Sequence, residues 1–193
     1  CVAQTLAGCA RQRGVDEVTP QGAVVATTGK FTGRSAGDKY ILRDKETEHT
    51  VWWDNANAMG QDQFDQLLVD MLAEMPNRPK LFNQQLFAGA DPENRFEVDV
   101  FTDSAWHALF IRHLLIRPRE TELQDFDANV TVLHLPGFQA DPARHGTKTS
   151  TAIALDFTRN IILICGTFYA GEIKKSVFSL FNYHAPARGI LPM

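Results

Sequence analysis

Ile161 to Cys165 is an unbroken apolar run that ends at Gly166. A short run of this kind, rich in β-branched residues and closed by a turn former, reads as a strand. Ala152 to Phe157 precedes it across Thr158-Arg159-Asn160, so the two segments read as a strand pair. The second strand enters Gly166-Thr167-Phe168-Tyr169-Ala170-Gly171. A helix then starts near Glu172, with Ile173, Val177 and Phe181 on its buried face and Pro186 as its stop. This strand, glycine-bounded turn and helix, taken together, constrain the chain to an α/β arrangement. Ligand sites in such sheets favour the carboxyl ends of strands.

The rest of the chain supplies more of the same elements. Ala23 to Thr27, Tyr40 to Leu42, Thr50 to Trp53, Leu81 to Phe87, Phe96 to Phe101 and Val130 to Leu133 read as strands from their β-branched and aromatic content. Phe64, Leu67, Leu68, Met71 and Leu72 recur at helical spacing, and Pro76 and Pro79 break the pattern. Ala105 to Leu115 suits a second helix, with Trp106, Leu109, Phe110 and His113 on one side and Pro118 as its end. Gly89-Ala90-Asp91-Pro92 and the polar stretch Ala140 to Thr149 read as turns. Strands outnumber helices, and hairpin and crossover connections both occur. The expectation is an α/β fold with a mixed sheet, formed by residues 1–193 as one domain whose first 19 residues are weakly patterned.

Several functional classes are disfavoured. The net charge is −4 without a long basic stripe, which argues against nucleic acid as a partner. Cys1, Cys9 and Cys165 make no C-x-x-C pair, so neither a zinc site nor a disulfide framework is expected, and Cys165 reads as a small buried hydrophobe. No apolar stretch approaches the roughly 20 residues that span a membrane. No signal peptide is visible, and the expected location is cytoplasmic. None of the six histidines makes a close metal-binding spacing, and no G-x-S-x-G elbow occurs. Trp52, Trp53 and Trp106 read as core or sheet-face aromatics.

Two segments carry residues suited to anion chemistry. Thr28-Gly29-Lys30-Phe31-Thr32-Gly33-Arg34-Ser35 follows a strand. Its glycines let the backbone approach a ligand, and Arg34 offers a planar fork for a carboxylate or phosphate. It lacks the Walker spacing. The same residues also suit a tight turn carrying a solvated arginine. In the second segment Tyr169 lies in the turn after the apolar strand, placed to project over the strand end. Lys174 and Lys175 follow in the first turns of the helix. Cations there face the positive end of the helix dipole, and a bound anion would account for them. A neighbouring positive charge also favours a neutral lysine amine, the form that ligates a metal. The plain alternative is an exposed lysine pair on a solvated helix face.

Together these segments resemble ATP-dependent phosphoenolpyruvate carboxykinase. Thr28 to Ser35 is similar to the family's T-G-x-F-T-G-R-S, and Asp38-Lys39 to the acidic-basic pair after it. Gly166 to Lys175 is similar to G-T-x-Y-x-G-E-x-K-K. Gly89-Ala90-Asp91, Arg95, Ala105-Trp106, Ile116-Arg117-Pro118, Glu122-Leu123, Asn182-Tyr183 and Leu191-Pro192-Met193 fall in the family's order. The resemblance covers about residues 20–193. It implies a mixed-sheet amino-terminal domain of the carboxykinase type. It also implies conversion of oxaloacetate and ATP to phosphoenolpyruvate, carbon dioxide and ADP in gluconeogenesis, with manganese or magnesium. Arg34 would grip the substrate carboxylate or the leaving carbon dioxide, with Tyr169 beside it. Lys175 would coordinate the metal and touch substrate and ATP phosphate, and Lys174 would neutralise the phosphoryl group.

The chain departs from the family's pattern in three places. The family continues its arginine loop as S-P-K-D-K, whereas here it is Ser35-Ala36-Gly37-Asp38-Lys39, which implies a more flexible and less positive loop. Asp99 stands where an arginine is expected. The family's metal-binding histidine, P-loop and metal-binding aspartate have no counterpart before Met193. The resemblance therefore implies a substrate-binding portion that is inactive without a nucleotide-binding half. The alternative is a non-catalytic dicarboxylate- or anion-binding module built on the same fold.

Overall fold

The computed structural model describes residues 16–21 and 23–191. Expectations that concern Cys1, Cys9, Pro192 and Met193 lie outside the described residues. A short antiparallel pair comes first, β1 (Asp16–Val18) with β2 (Val24–Ala26). It makes no ladder with the seven-stranded sheet of β3 (Lys39–Leu42), β4 (Asn57–Met59), β5 (Phe82–Ala88), β6 (Phe96–Thr102), β7 (Val130–Leu135), β8 (Ala152–Asp156) and β9 (Ile161–Cys165), though Val24 packs against the cluster that holds Phe82. The order across the sheet is β4-β3-β8-β9-β7-β6-β5. β5 with β6 and β8 with β9 are antiparallel, and the other four pairings are parallel. The sheet is mixed, as the sequence implies.

Helices cover both of its faces. α1 (Gln61–Glu74) lies on one, where Phe64, Leu67 and Met71 pack with Tyr40, Leu135, Leu163 and Cys165. α2 (Ala105–Leu114) and α4 (Gly171–His184) lie on the other, where Ile111, Ile173, Val177 and Leu180 pack with Val98, Val132, Ile153 and Ile164. The alternation along β9 feeds both layers: Ile162 and Ile164 belong to one cluster, Leu163 and Cys165 to the other. This is why the strand is apolar throughout, and each such buried aliphatic contributes about 1.5–3 kcal/mol.

Four expectations are corrected. Thr50 to Trp53 is not a strand but a turn leading into a 3-10 segment, Trp53–Asn55. Local bonds outcompete strand pairing there: Thr47 N–H donates to Asp44 Oδ1, Val51 N–H to Thr47 O, and Trp53 Nε1 to Glu48 O. Strand pairing with β3 falls to Asn57–Met59 instead. The tryptophans are not core residues: Trp52 is 72% exposed, and Trp53 and Trp106 are half-buried. α2 buries the side bearing Ala105, His107, Ala108 and Ile111 rather than that of Trp106 and His113. Its end at Leu114 is as expected to within one residue, and Ile116 beyond it exchanges two backbone hydrogen bonds with Phe87. Finally, Ala140 to Thr149 contains a short helix, α3 (Pro142–His145), with Asp141 as its cap and Gly146 at φ 64° as its stop.

Candidate functional site

The carboxyl end of β9 and the start of α4 form the floor of the site. The chain reverses at Gly166, whose φ is +70°, and a Cβ there would lie 2.3 Å from Ser150 O. Only glycine fits this turn. Thr151 Oγ1 donates to Gly166 O, and Tyr169 N–H donates to Thr167 Oγ1. The Tyr169 ring does not simply overhang the strand end. It lies against Gly171, where an added Cβ would stand 2.6 Å from Tyr169 Cε1.

The arginine loop approaches this floor from β2, not from a strand of the large sheet. It carries on into a 3-10 turn, Ala36–Asp38, and then β3. Its contact with α4 is Glu172. Ser35 N–H donates to Glu172 Oε1 at 2.8 Å, and Arg34 Nε lies 3.9 Å from Glu172 Oε2. Glu172 is buried with 4% of its side chain exposed, whereas 41% of the Arg34 side chain is exposed. The ionic contact is therefore long and solvent-screened, and the amide bond is the firmer link. Arg34 makes no closer ion pair among the described residues, so its fork is not consumed by Glu172. Phe31 of the same loop meets Phe168, with ring centroids 6.4 Å apart.

A second link comes from Lys39. Its Nζ donates to Ser179 Oγ at 2.6 Å, and Ser179 Oγ donates to Lys175 O. Burial pushes the Lys39 pKa down, the Arg34 charge pushes it further, and Glu172 opposes both. The loop that lacks the family's proline and lysine is still tied at several points. Thr149 Oγ1 donates to Asp38 Oδ1, and Asn57 Nδ2 donates to the carbonyls of Gly37 and Lys39. Asp99, the other departure, accepts from Asn83 Nδ2 within the sheet.

Lys174 and Lys175 are the fourth and fifth residues of α4 and are half-buried. Their amines lie 5.1 Å and 5.4 Å from the Phe178 ring centroid. Beside them opens an apolar cavity of about 240 Å³ whose lining includes Gly89, Ala90, Ile116, Lys174 and Phe178. Neither Arg34 nor Tyr169 lines it, so it adjoins the anion-suited residues only through Lys174. Arg95 has a supporting place: its guanidinium stacks 3.4 Å from the Phe87 ring centroid and pairs with Glu122 at 3.2 Å.

The structure thus ties the segments bearing Arg34, Tyr169, Lys174 and Lys175 to one end of the sheet. Glu172, Ser179 and Lys39, which do the tying, carry no local sequence signal that marks them as site residues. An acid in the first turn of a helix has an ordinary explanation in the helix dipole, and neither serine nor lysine announces a partner over 100 positions away. Among the described residues no group of three or more His, Cys, Asp or Glu side chains could hold a metal ion. These residues do not form a complete divalent-cation site, and Lys175 could supply one donor at most. Among them, too, no helix is long and apolar enough to cross a membrane.

Comparison with known proteins identifies the family. The family model for phosphoenolpyruvate carboxykinase matches residues 1–193, including the weakly patterned first 19. The phosphoenolpyruvate carboxykinase (ATP) of Methylobacterium nodulans is 53% identical over 184 residues, 95% of this chain and 34% of its own length. That of Mesorhizobium japonicum is 52% identical over 182 residues, 94% of this chain and 34% of its own length. The chain spans about a third of the length of these relatives. Matched from end to end and about half identical to these enzymes, the chain belongs to the ATP-dependent phosphoenolpyruvate carboxykinase family.

Proposed function

We propose that residues 1–193 act as one substrate-binding unit of an ATP-dependent phosphoenolpyruvate carboxykinase, working in the cytoplasm in gluconeogenesis. The observation that carries this reading is the Glu172 bond to Ser35, which joins the two segments richest in family residues across 137 positions. The reaction is oxaloacetate plus ATP to phosphoenolpyruvate, carbon dioxide and ADP. The bond to the departing carboxylate breaks, its electron pair passes to the enolate oxygen, and that oxygen takes the γ-phosphoryl group of ATP.

Arg34 binds the carboxylate that leaves as carbon dioxide, a task suited to its exposed planar fork. Tyr169 packs beside the substrate from its seat on Gly171. Lys174 offsets charge on the transferring phosphoryl group, and the Lys175 amine contacts substrate and phosphate and would be one ligand to a manganese or magnesium ion whose other ligands lie outside the described residues. When bound, that cation neutralises charge on enolate and phosphate oxygens. In this reading the nucleotide site and the other metal ligands come from outside residues 1–193, so these residues alone turn over no oxaloacetate.

The test is a full-length protein in which residues 1–193 replace the matching third of the Methylobacterium nodulans enzyme. It should decarboxylate oxaloacetate only with ATP and a divalent cation, and Arg34→Ala or Lys175→Ala should abolish turnover. A folded but inactive hybrid, or one indifferent to Arg34→Ala, would sink the reading. Dicarboxylate binding by residues 1–193 that persists when the full-length hybrid is inactive would mark a binding module instead.

A further inference from the structure

In the turn 166–169 one carbonyl is held from outside the β8, β9 and α4 neighbourhood. Gly166 O accepts from Thr151, and Tyr169 O accepts from Glu172 N–H. Phe168 O instead faces His107 Nε2 of α2 at 3.0 Å, across 61 positions. A carbonyl only accepts, so Nε2 carries the proton and donates. The neutral ring then has a bare Nδ1, which accepts from Ser104 Oγ at 2.8 Å. His107 is 1% exposed, and its ring packs 4.4 Å from that of His134 on β7, which is also buried. Its donor therefore has little freedom to turn elsewhere. Phe168 in turn touches Phe31 of the arginine loop, and Tyr169 is the next residue.

We propose that His107 is a positioning residue: its Nε2–H holds the Phe168 carbonyl and so sets the Tyr169 ring, and through Phe31 the arginine loop, for the dicarboxylate substrate. This rests on the proposed carboxykinase reading, and it adds a residue that touches neither substrate nor nucleotide.

Two polar substitutions separate positioning from bulk packing. The amide of Gln reaches the place of Nε2, whereas that of Asn reaches only the place of Nδ1. In the full-length hybrid, His107→Asn should raise the KM for oxaloacetate about tenfold, because a small misplacement of a substrate contact is amplified in turnover. The KM for ATP should stay unchanged, and His107→Gln should restore the oxaloacetate value to within about twofold on the same grounds. Equal effects of Asn and Gln, or a matching rise in both KM values, would overturn the proposal. If Arg34→Ala abolishes activity while His107→Asn does nothing, only this inference fails. If Arg34→Ala is silent, the carboxykinase reading fails first. Should His107→Asn not fold, the histidine ¹⁵N spectrum of the unsubstituted hybrid decides. A protonated Nε2 whose resonance shifts when phosphoenolpyruvate is added supports the role. A protonated Nδ1, or no shift, overturns it.

Discussion

Glu172 accepts the backbone amide of Ser35 at 2.8 Å, so one buried carboxylate from the start of α4 holds the loop that presents Arg34. The acid sits in the first helical turn, where the helix dipole already favours negative charge. It therefore serves the helix and the loop at once, and the loop needs no regular sheet contact to stay beside the lysine pair.

Removing this acceptor should leave a partly buried amide unpaired. Glu172→Ala is expected to lower stability by about 1–3 kcal/mol, whereas Glu172→Gln, which keeps an acceptor, should cost less. In the full-length hybrid the alanine variant should also raise the KM for oxaloacetate more than the glutamine variant does. Urea unfolding and initial-rate kinetics check both, and an alanine variant matching the parent in stability and KM would refute the link.

The two turn glycines should respond differently to alanine. Gly166→Ala places a Cβ against Ser150 O at a positive φ, so a loss of more than about 2 kcal/mol is expected. For Gly171→Ala the nearest atoms to the new Cβ all belong to the Tyr169 side chain, and the φ of Gly171 is not positive. The variant's stability should hold or rise slightly, while the oxaloacetate KM worsens as the ring is displaced. Equal destabilisation of the two variants would contradict this account.

Acid should weaken the fold through the histidine pair. Burial holds the His107 pKa down at about 4, against an ordinary value of 6.5, and burial together with the His107 charge lowers that of His134. Between those two values the unfolded chain binds more protons than the folded one. Stability is therefore complete above pH 6.5 and falls as pH drops towards 4, with His107 accounting for about 3 kcal/mol. Urea midpoints across this range should fall more steeply for the parent than for His107→Gln. Parallel profiles would show that His107 does not titrate as described.

Cys165 should be inert in the folded chain. Burial on β9, between β8 and β7, pushes its thiol up to about 12, so almost no thiolate exists at neutral pH. Peptide mapping after iodoacetamide treatment should find Cys165 unmodified until denaturant is added. Labelling in the native state at the rate of a free thiol would disprove the burial.

Much of the fold was legible locally. The apolar run to Cys165, the glycine at 166 and the Ile173-Val177 spacing each carry their own physics, because a strand, a positive-φ turn and an amphipathic helix depend on neighbouring residues. Thr50 to Trp53 misled because its strand-forming side chains compete with turn bonds from Asp44 and Thr47, which composition does not reveal. The chemistry-bearing residue types were equally visible, since Arg34 and the lysine pair stand out against loop and dipole expectations.

What the sequence determined by itself was therefore the elements, the mixed sheet and the family to which the two long motifs point. Only the tertiary structure decided how those motifs meet. Ser35 finds Glu172 across 137 positions, Lys39 finds Ser179 across 140, and His107 finds Phe168 across 61. No local propensity encodes such pairs. They exist because α4 packs on the sheet face shared with Ile41 of β3 and with Ile111 of α2, so the arginine loop, β3 and α2 each bring a polar group to α4 or the turn before it, where a buried donor or acceptor must find a partner.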